Sequence, residues 1–161
     1  MATYQARVLV IANQTAGSPE LVSALQARQQ KGPVAPTLLM PAVRNGFAGK
    51  EETRERLEGV IAQWREAGLP AEGVVGDPDP AVAVQETWDP RSFDEVMVST
   101  LPGQTSKWLQ SDLPHRVRQI TGLDVTHVEG GKKHEPHYGP PPEKREAGAL
   151  GPLTLRAPKN R

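Results

Sequence analysis

Seven residues near the start of the chain, Arg7–Asn13 (RVLVIAN), leave little choice of fold. The run is short, β-branched and almost wholly apolar, so neither of its faces suits water. That is the pattern of a strand covered on both sides, as in a parallel sheet. Comparable runs occur at Pro36–Pro41 (PTLLMP), Ala71–Gly76 (AEGVVG), Phe93–Ser99 (FDEVMVS) and Asp124–Val128 (DVTHV).

Helical patterns separate these runs. Ser18 caps a first helix with Pro19 at its first position and Glu20 in its first turn; Leu21, Val22 and Leu25 form its inward stripe, and Gly32-Pro33 stop it. In KEETRERLEGVIAQWREAG, Leu57, Val60, Ile61 and Trp64 recur at i, i+3, i+4 and i+7. Glu51–Arg54 and Glu52–Arg56 are spaced to pair on the wet side, and Gly68 ends the helix. Asp79 caps a third helix, with Pro80 first, running to about Trp88. A fourth is expected from about Ser111 to Ile120, with Ser111 as N-cap and Pro114 tolerated in the first turn. Strands alternating with helices, joined by right-handed crossovers, predict an α/β domain: a five-stranded parallel, doubly wound sheet with helices on both faces.

From Gly130 onward the composition changes. Pro and Gly abound, large apolar residues nearly vanish, and seven Lys/Arg face three Glu. The expectation is an α/β domain over 1–128 and a disordered, basic tail over 129–161, inert or binding a partner through extended segments. Lys+Arg and Asp+Glu both total 19, so no overall charge argues for nucleic acid or a membrane surface. The absence of cysteine excludes disulfides, thiol catalysis and cysteine-based metal sites. No apolar stretch approaches the roughly 20 residues that span a bilayer, and the N-terminus lacks a signal-peptide layout. A cytoplasmic protein is expected.

In an open α/β sheet, ligands settle at the carboxyl ends of the strands where the winding reverses. Two such ends carry weight. Val75-Gly76-Asp77-Pro78 has an ordinary reading as a turn with a helix cap. Val98–Val117 (VSTLPGQTSKWLQSDLPHRV) has two readings: a plain loop, or a loop whose amides around Gly103 to Ser106, with Lys107, surround a phosphate. It matches neither GxGxxG nor a P-loop.

RVLVIANQTAGSPELVSAL, VVGDPDPAVAV and VMVSTLPGQTSKWLQSDLPHRVRQITGLDVTHV together, in order and spacing, resemble the universal stress protein family over about Arg7 to Val128. The resemblance implies a sheet ordered 3-2-1-4-5, a role in the stress response, adenine-nucleotide binding (ATP or AMP) and a homodimer paired through the edge of strand five. It places candidate nucleotide contacts at Asn13, Gln14 and Thr15, at Met40, and at Ser99, Thr100, Gly103, Thr105, Ser106, Lys107 and Ser111. The departures matter as much. Nucleotide-binding members carry Gly-x-x-Gly and then Gly-Ser or Gly-Thr; here those glycines fall on Ser99, Pro102 and Ser111, with Asp112 next. The family's first-strand aspartate, which contacts ribose and metal-bound phosphate, falls on Asn13.

Serine and proline restrict the backbone approach that glycine allows, and proline also removes an amide donor. A carboxylate at Asp112 beside a phosphate would repel it by roughly 4 kcal/mol per unit charge pair at about 4 Å and an effective dielectric of about 20. Asn13 can bond a hydroxyl but brings no charge to hold Mg²⁺. The reading is a regulatory or binding module with adenine-nucleotide binding weakened or lost. The alternative is a competent ATP/AMP sensor in which Thr100, Thr105, Ser106 and Lys107 replace the lost amides.

Nothing else assembles into a site. His134-Glu135-Pro136-His137 could bind a metal, but its proline forbids the helix that would present both rings together. His127 reads as a half-exposed strand residue, Arg44 as an exposed loop residue, and Trp64, Trp88 and Trp108 as core or interface rather than stacking platforms. No catalytic set is visible, and the HxGH-type or PP-loop motif of related nucleotide-binding enzymes is missing.

Overall fold

Val8, Leu9, Val10 and Ile11 are all excluded from solvent, yet they serve two different cores. Val8 and Val10 pack with Leu21, Leu25, Leu57, Ile61 and Trp64 on one side. Leu9 and Ile11 pack with Ala83, Val84, Leu113 and Val117 on the other. A strand whose successive side chains enter opposite cores has to lie in the middle of a three-layer stack. The protein, described by a computed structural model over residues 4–102 and 106–131, builds that stack.

The elements are β1 (Ala6–Ile11), α1 (Pro19–Gln30), β2 (Val34–Pro41), α2 (Gly46–Glu66), β3 (Glu72–Gly76), α3 (Pro80–Thr87), β4 (Glu95–Thr100), α4 (Lys107–Gln110), α5 (Leu113–Thr121) and β5 (Val125–Glu129). The five strands form one sheet in the order β3-β2-β1-β4-β5. Every pairing is parallel. Helices α1 and α2 cover one face, α3 and α5 the other. The winding therefore reverses between β1 and β4, where Val10 stands opposite Met97 and Ile11 opposite Val98.

Local chemistry accounts for most helix ends. Ser18 accepts the Leu21 N–H at 3.2 Å with Pro19 at the first position, and Asp79 accepts from Ala81 at 2.9 Å with Pro80 following. Gly68, with φ of 89°, turns the chain out of α2. Gly76 permits a close approach: a Cβ there would lie 2.7 Å from Leu39 Cδ1 and 2.8 Å from Ala83 Cβ. Any side chain would push α3 off the sheet.

Several expected boundaries move. β2 begins at Val34 rather than Pro36, and β5 runs Val125–Glu129, so the folded unit reaches the buried Gly130 rather than ending at 128. Helix α2 starts a turn early, and within it Thr53 Oγ1 donates to Gly49 O at 2.8 Å and accepts from Val43 N at 3.0 Å, tying the first turn to the loop before it. The last expected helix forms as α5, starting at Leu113 with Pro114 in its first turn as expected, and a short extra helix, α4, precedes it. Pro114 has no N–H to give and its ring would clash with a helical carbonyl at Gln110, so α4 does not run on into α5. Ser106 caps the short α4, accepting from Leu109 N at 3.2 Å. Ser111, expected as an N-cap, sits at the C-terminal end of that helix. Asp112 then takes the left-handed conformation, with φ of 57°, before α5 starts. The expected tail lies, from residue 132 on, outside the described residues.

At the amino ends of the strands, Asp94 gathers four donors: Arg7 N at 2.9 Å, Tyr4 Oη at 2.6 Å, and Arg7 Nε and Nη2 each at 3.3 Å. The Arg7 backbone N–H, then the Tyr4 hydroxyl, hold the carboxyl at about 2, below its ordinary 3.8. A depressed folded-state pKa means stability that is complete above about pH 4 and lost as pH falls through 2. The side chain is 32% exposed, so screening trims the gain to about 1–2 kcal/mol. Asp94→Asn should lose that amount at pH 7 and much less at pH 2, measured by urea unfolding at both pH values. An equal loss at both would show that geometry, not charge, holds the clasp.

Candidate functional site

A cavity of about 290 Å³ opens where the winding reverses. That is the small end of the range for ligand pockets. Its walls come from the turn after β1 (Asn13, Gln14, Thr15), the carboxyl end of β4 with the residue beyond it (Ser99, Thr100, Leu101), and the start of α4 (Ser106, Lys107, Trp108).

The floor is a pair of hydroxyls. Thr15 Oγ1 and Ser99 Oγ lie 2.6 Å apart, at 3% and 0% exposure, joining the ends of the two central strands. A glycine at 99 would leave this space open; serine fills it and uses the Thr15 hydroxyl. Beside the floor, Thr100 Oγ1 is 2.7 Å from His127 Nε2 on β5, and the Gly130 N–H donates to Thr100 O at 2.9 Å. His127 is exposed, and its ring bonds to a crevice wall.

Asn13 stands at the rim and is held from behind. Arg56 Nη2 on α2 donates to Asn13 Oδ1 at 2.9 Å and lies 3.4 Å from Asn13 O. The Glu52–Arg56 pairing expected on the wet side is replaced by this reach across to β1; the Glu51–Arg54 pair does form, at 3.6 Å. Neighbouring bonds fix the same turn: Trp64 Nε1 donates to Ala16 O at 3.1 Å and Gln63 Nε2 to Gly17 O at 3.2 Å.

Of the residues singled out from sequence, Asn13, Gln14, Thr15, Ser99, Thr100, Ser106 and Lys107 converge on this one cavity. Two do not line it. Met40 is wholly buried in the core with Val8 and Val10, because the strand's parity turns it inward, and Ser111 is an exposed residue beyond α4. Gly103 and Thr105 lie outside the described residues, as do His134 and His137. Asp112 is exposed and is not among the residues lining the cavity. Trp108, read as core or interface, packs against the Leu113–Val117 core and also lines the cavity. Arg56 reads in the sequence only as a solvated partner of Glu52; its 43-residue reach leaves no local pattern to find.

A divalent cation of the kind that accompanies nucleotide phosphates needs hard, charged oxygens. The cavity lining contains no Asp or Glu, and the loop Ser99–Lys107 (STLPGQTSK) has none in its sequence. Asp77 and Asp79, at the end of β3, accept the Asp79 and Ala81 N–H groups within their own turn. Glu129, the register neighbour of Thr100 on β5, does not line the cavity. Among the described residues no group of three His, Cys, Asp or Glu could hold a metal ion. The residues present do not fit Mg²⁺; they fit an anion, with Lys107 as the cation on the wall.

No protein-family model matches the chain, and no curated protein does. Solved structures do match. A universal stress protein from Archaeoglobus fulgidus aligns with a TM-score of 0.55 at 15% identity, over 79% of this chain and 95% of its own. The universal stress protein of the same organism in complex with dAMP gives 0.54 at 16%, over 80% and 100%. A universal stress protein family protein from Arabidopsis thaliana with AMP bound gives 0.53 at 13%, over 82% and 96%. Among the described residues no helix is long and apolar enough to cross a membrane. With its five parallel strands in the order 3-2-1-4-5 and its crevice at the β1–β4 reversal, this chain has the fold of the universal stress proteins.

Proposed function

We propose that the chain is a universal-stress-protein-like regulatory module that binds an adenine nucleotide weakly at the β1–β4 crevice. It serves the stress response in the cytoplasm without catalysing a reaction of its own. The observation that carries this reading is the Thr15–Ser99 hydroxyl pair on the crevice floor. It occupies the space a phosphate-binding glycine would leave, in a cavity otherwise lined for an anion by Asn13, Thr100, Ser106 and Lys107. The fold supports it too, since two of the similar structures hold dAMP or AMP.

The competent-sensor reading is favoured by Trp108, which lines the cavity next to Lys107. Titration of the full chain with AMP separates the two. The weak module predicts a Kd on the order of 1 mM, so that ~10 mM AMP stabilises the fold by about 1.4 kcal/mol in a thermal shift. A micromolar Kd would establish the sensor instead. No shift at ~10 mM would remove the nucleotide from the reading altogether. β5 is one edge of the sheet, and we place a second copy there, joined edge to edge.

A further inference from the structure

Resting on the reading of this crevice as a phosphate site, we infer that it takes its anion without a divalent cation. Arg56, not a metal, sets the polarity of Asn13. Arginine has donors only, so the group of Asn13 that faces Arg56 Nη2 at 2.9 Å must be the amide oxygen. The assignment of the amide's two ends, often ambiguous, is fixed here by that partner. Asn13 also lines the crevice, and with one lone pair of its oxygen taken by Arg56, its NH₂ end is the donor it has to offer a ligand.

An asparagine held this way is a donor to a phosphate oxygen and a poor metal ligand. The other polar side chains on the wall are hydroxyls, the Gln14 amide and the Lys107 ammonium. All of them can donate, and none carries the negative charge that would draw Mg²⁺ out of water. The half-buried Arg56 guanidinium adds a second positive charge behind Asn13. In this chain the charge of a phosphate is met by Lys107 and, through Asn13, by Arg56. Arg56 is thus a positioning residue, and it selects free over metal-chelated phosphate.

The test uses the full chain, with AMP and separately inorganic phosphate titrated by NMR in EDTA and in Mg²⁺. The Asn13 NH₂ signals are identified by their loss in Asn13→Asp. We expect AMP affinity to agree within about twofold between the two conditions, with the Asn13 NH₂ signals shifting on ligand addition. Arg56→Met should weaken AMP by roughly five- to tenfold, less than a lost direct hydrogen bond to a charged group, because Arg56 acts on the ligand through Asn13. Arg56→Lys keeps a donor and the charge and should recover most of that loss. Asn13→Asp should weaken AMP in EDTA and make binding respond to Mg²⁺, which a merely structural role for Arg56 and Asn13 would not produce.

Tightening of the unmodified chain by Mg²⁺ of about tenfold or more overturns the inference, as does unchanged affinity in Arg56→Met. In either case AMP still binds, so the reading of the crevice as a phosphate site survives. If neither AMP nor phosphate binds at all, that reading falls and the inference falls with it.

Discussion

Ser99→Gly is expected to tighten AMP binding about tenfold while making the protein less stable by about 1–2 kcal/mol. The opposite signs follow from one pair of atoms. Ser99 Oγ and Thr15 Oγ1 are 2.6 Å apart on the crevice floor and satisfy one another. Removing Cβ and Oγ lets a phosphate oxygen approach the backbone at the end of β4 and frees the Thr15 hydroxyl to bond it. One added hydrogen bond to a charged group is worth about 1.4 kcal/mol or slightly more, which is a factor of ten. The cost is a lost buried hydrogen bond together with the extra backbone entropy of a glycine near the end of a strand. Isothermal titration with AMP reads the first change and urea unfolding the second. Ser99→Ala is the informative companion, since it removes the hydroxyl but keeps the Cβ. If backbone approach matters, alanine gains less than about threefold; if the hydroxyl alone obstructs, alanine matches glycine. Unchanged affinity in both variants would mean that the floor does not limit binding.

The sheet is legible in the sequence because burial on both faces forces a composition that few other structures share. RVLVIAN cannot face water on either side, and the structure sends Val8 and Val10 to one core and Leu9 and Ile11 to the other. The caps at Ser18 and Asp79 are legible for a similar reason: each is a local exchange between a side chain and an N–H two or three residues on. The site is only partly so. Strand ends can be named, but which side chains of a strand face a crevice is set by parity. Leu38 and Met40 share a face, and both side chains enter the α1–α2 core. The break between α4 and α5 is also written in Pro114, whose ring excludes a helical carbonyl at Gln110. Arg56 is different in kind. On a helical wheel it sits among Glu52 and Glu55 as a wet residue, and only the crossing of α2 over the end of β1 brings it to Asn13.

That crossing explains why the largest loss of stability should come from a residue that never touches the crevice. Trp64→Ala is expected to cost about 4 kcal/mol, within the usual range for deleting a buried indole. Trp64 is 0% exposed in the core with Leu21, Leu25 and Leu57, and its Nε1 donates to Ala16 O at 3.1 Å. Trp64→Phe keeps most of the ring but leaves that carbonyl unpaired, for a loss of about 1–3 kcal/mol. The functional consequence distinguishes this site from an ordinary core position. Arg56, Gln63 and Trp64 on α2 bond in turn to Asn13, Gly17 and Ala16, so one helix splints the whole turn after β1. Trp64→Phe should therefore weaken AMP binding by roughly threefold, through the turn rather than through any contact with the ligand. Urea unfolding and an AMP titration on the same variant check both halves. Lost stability with unchanged affinity would show that Asn13 and Thr15 hold their places without α2, and that the crevice is set by the sheet alone.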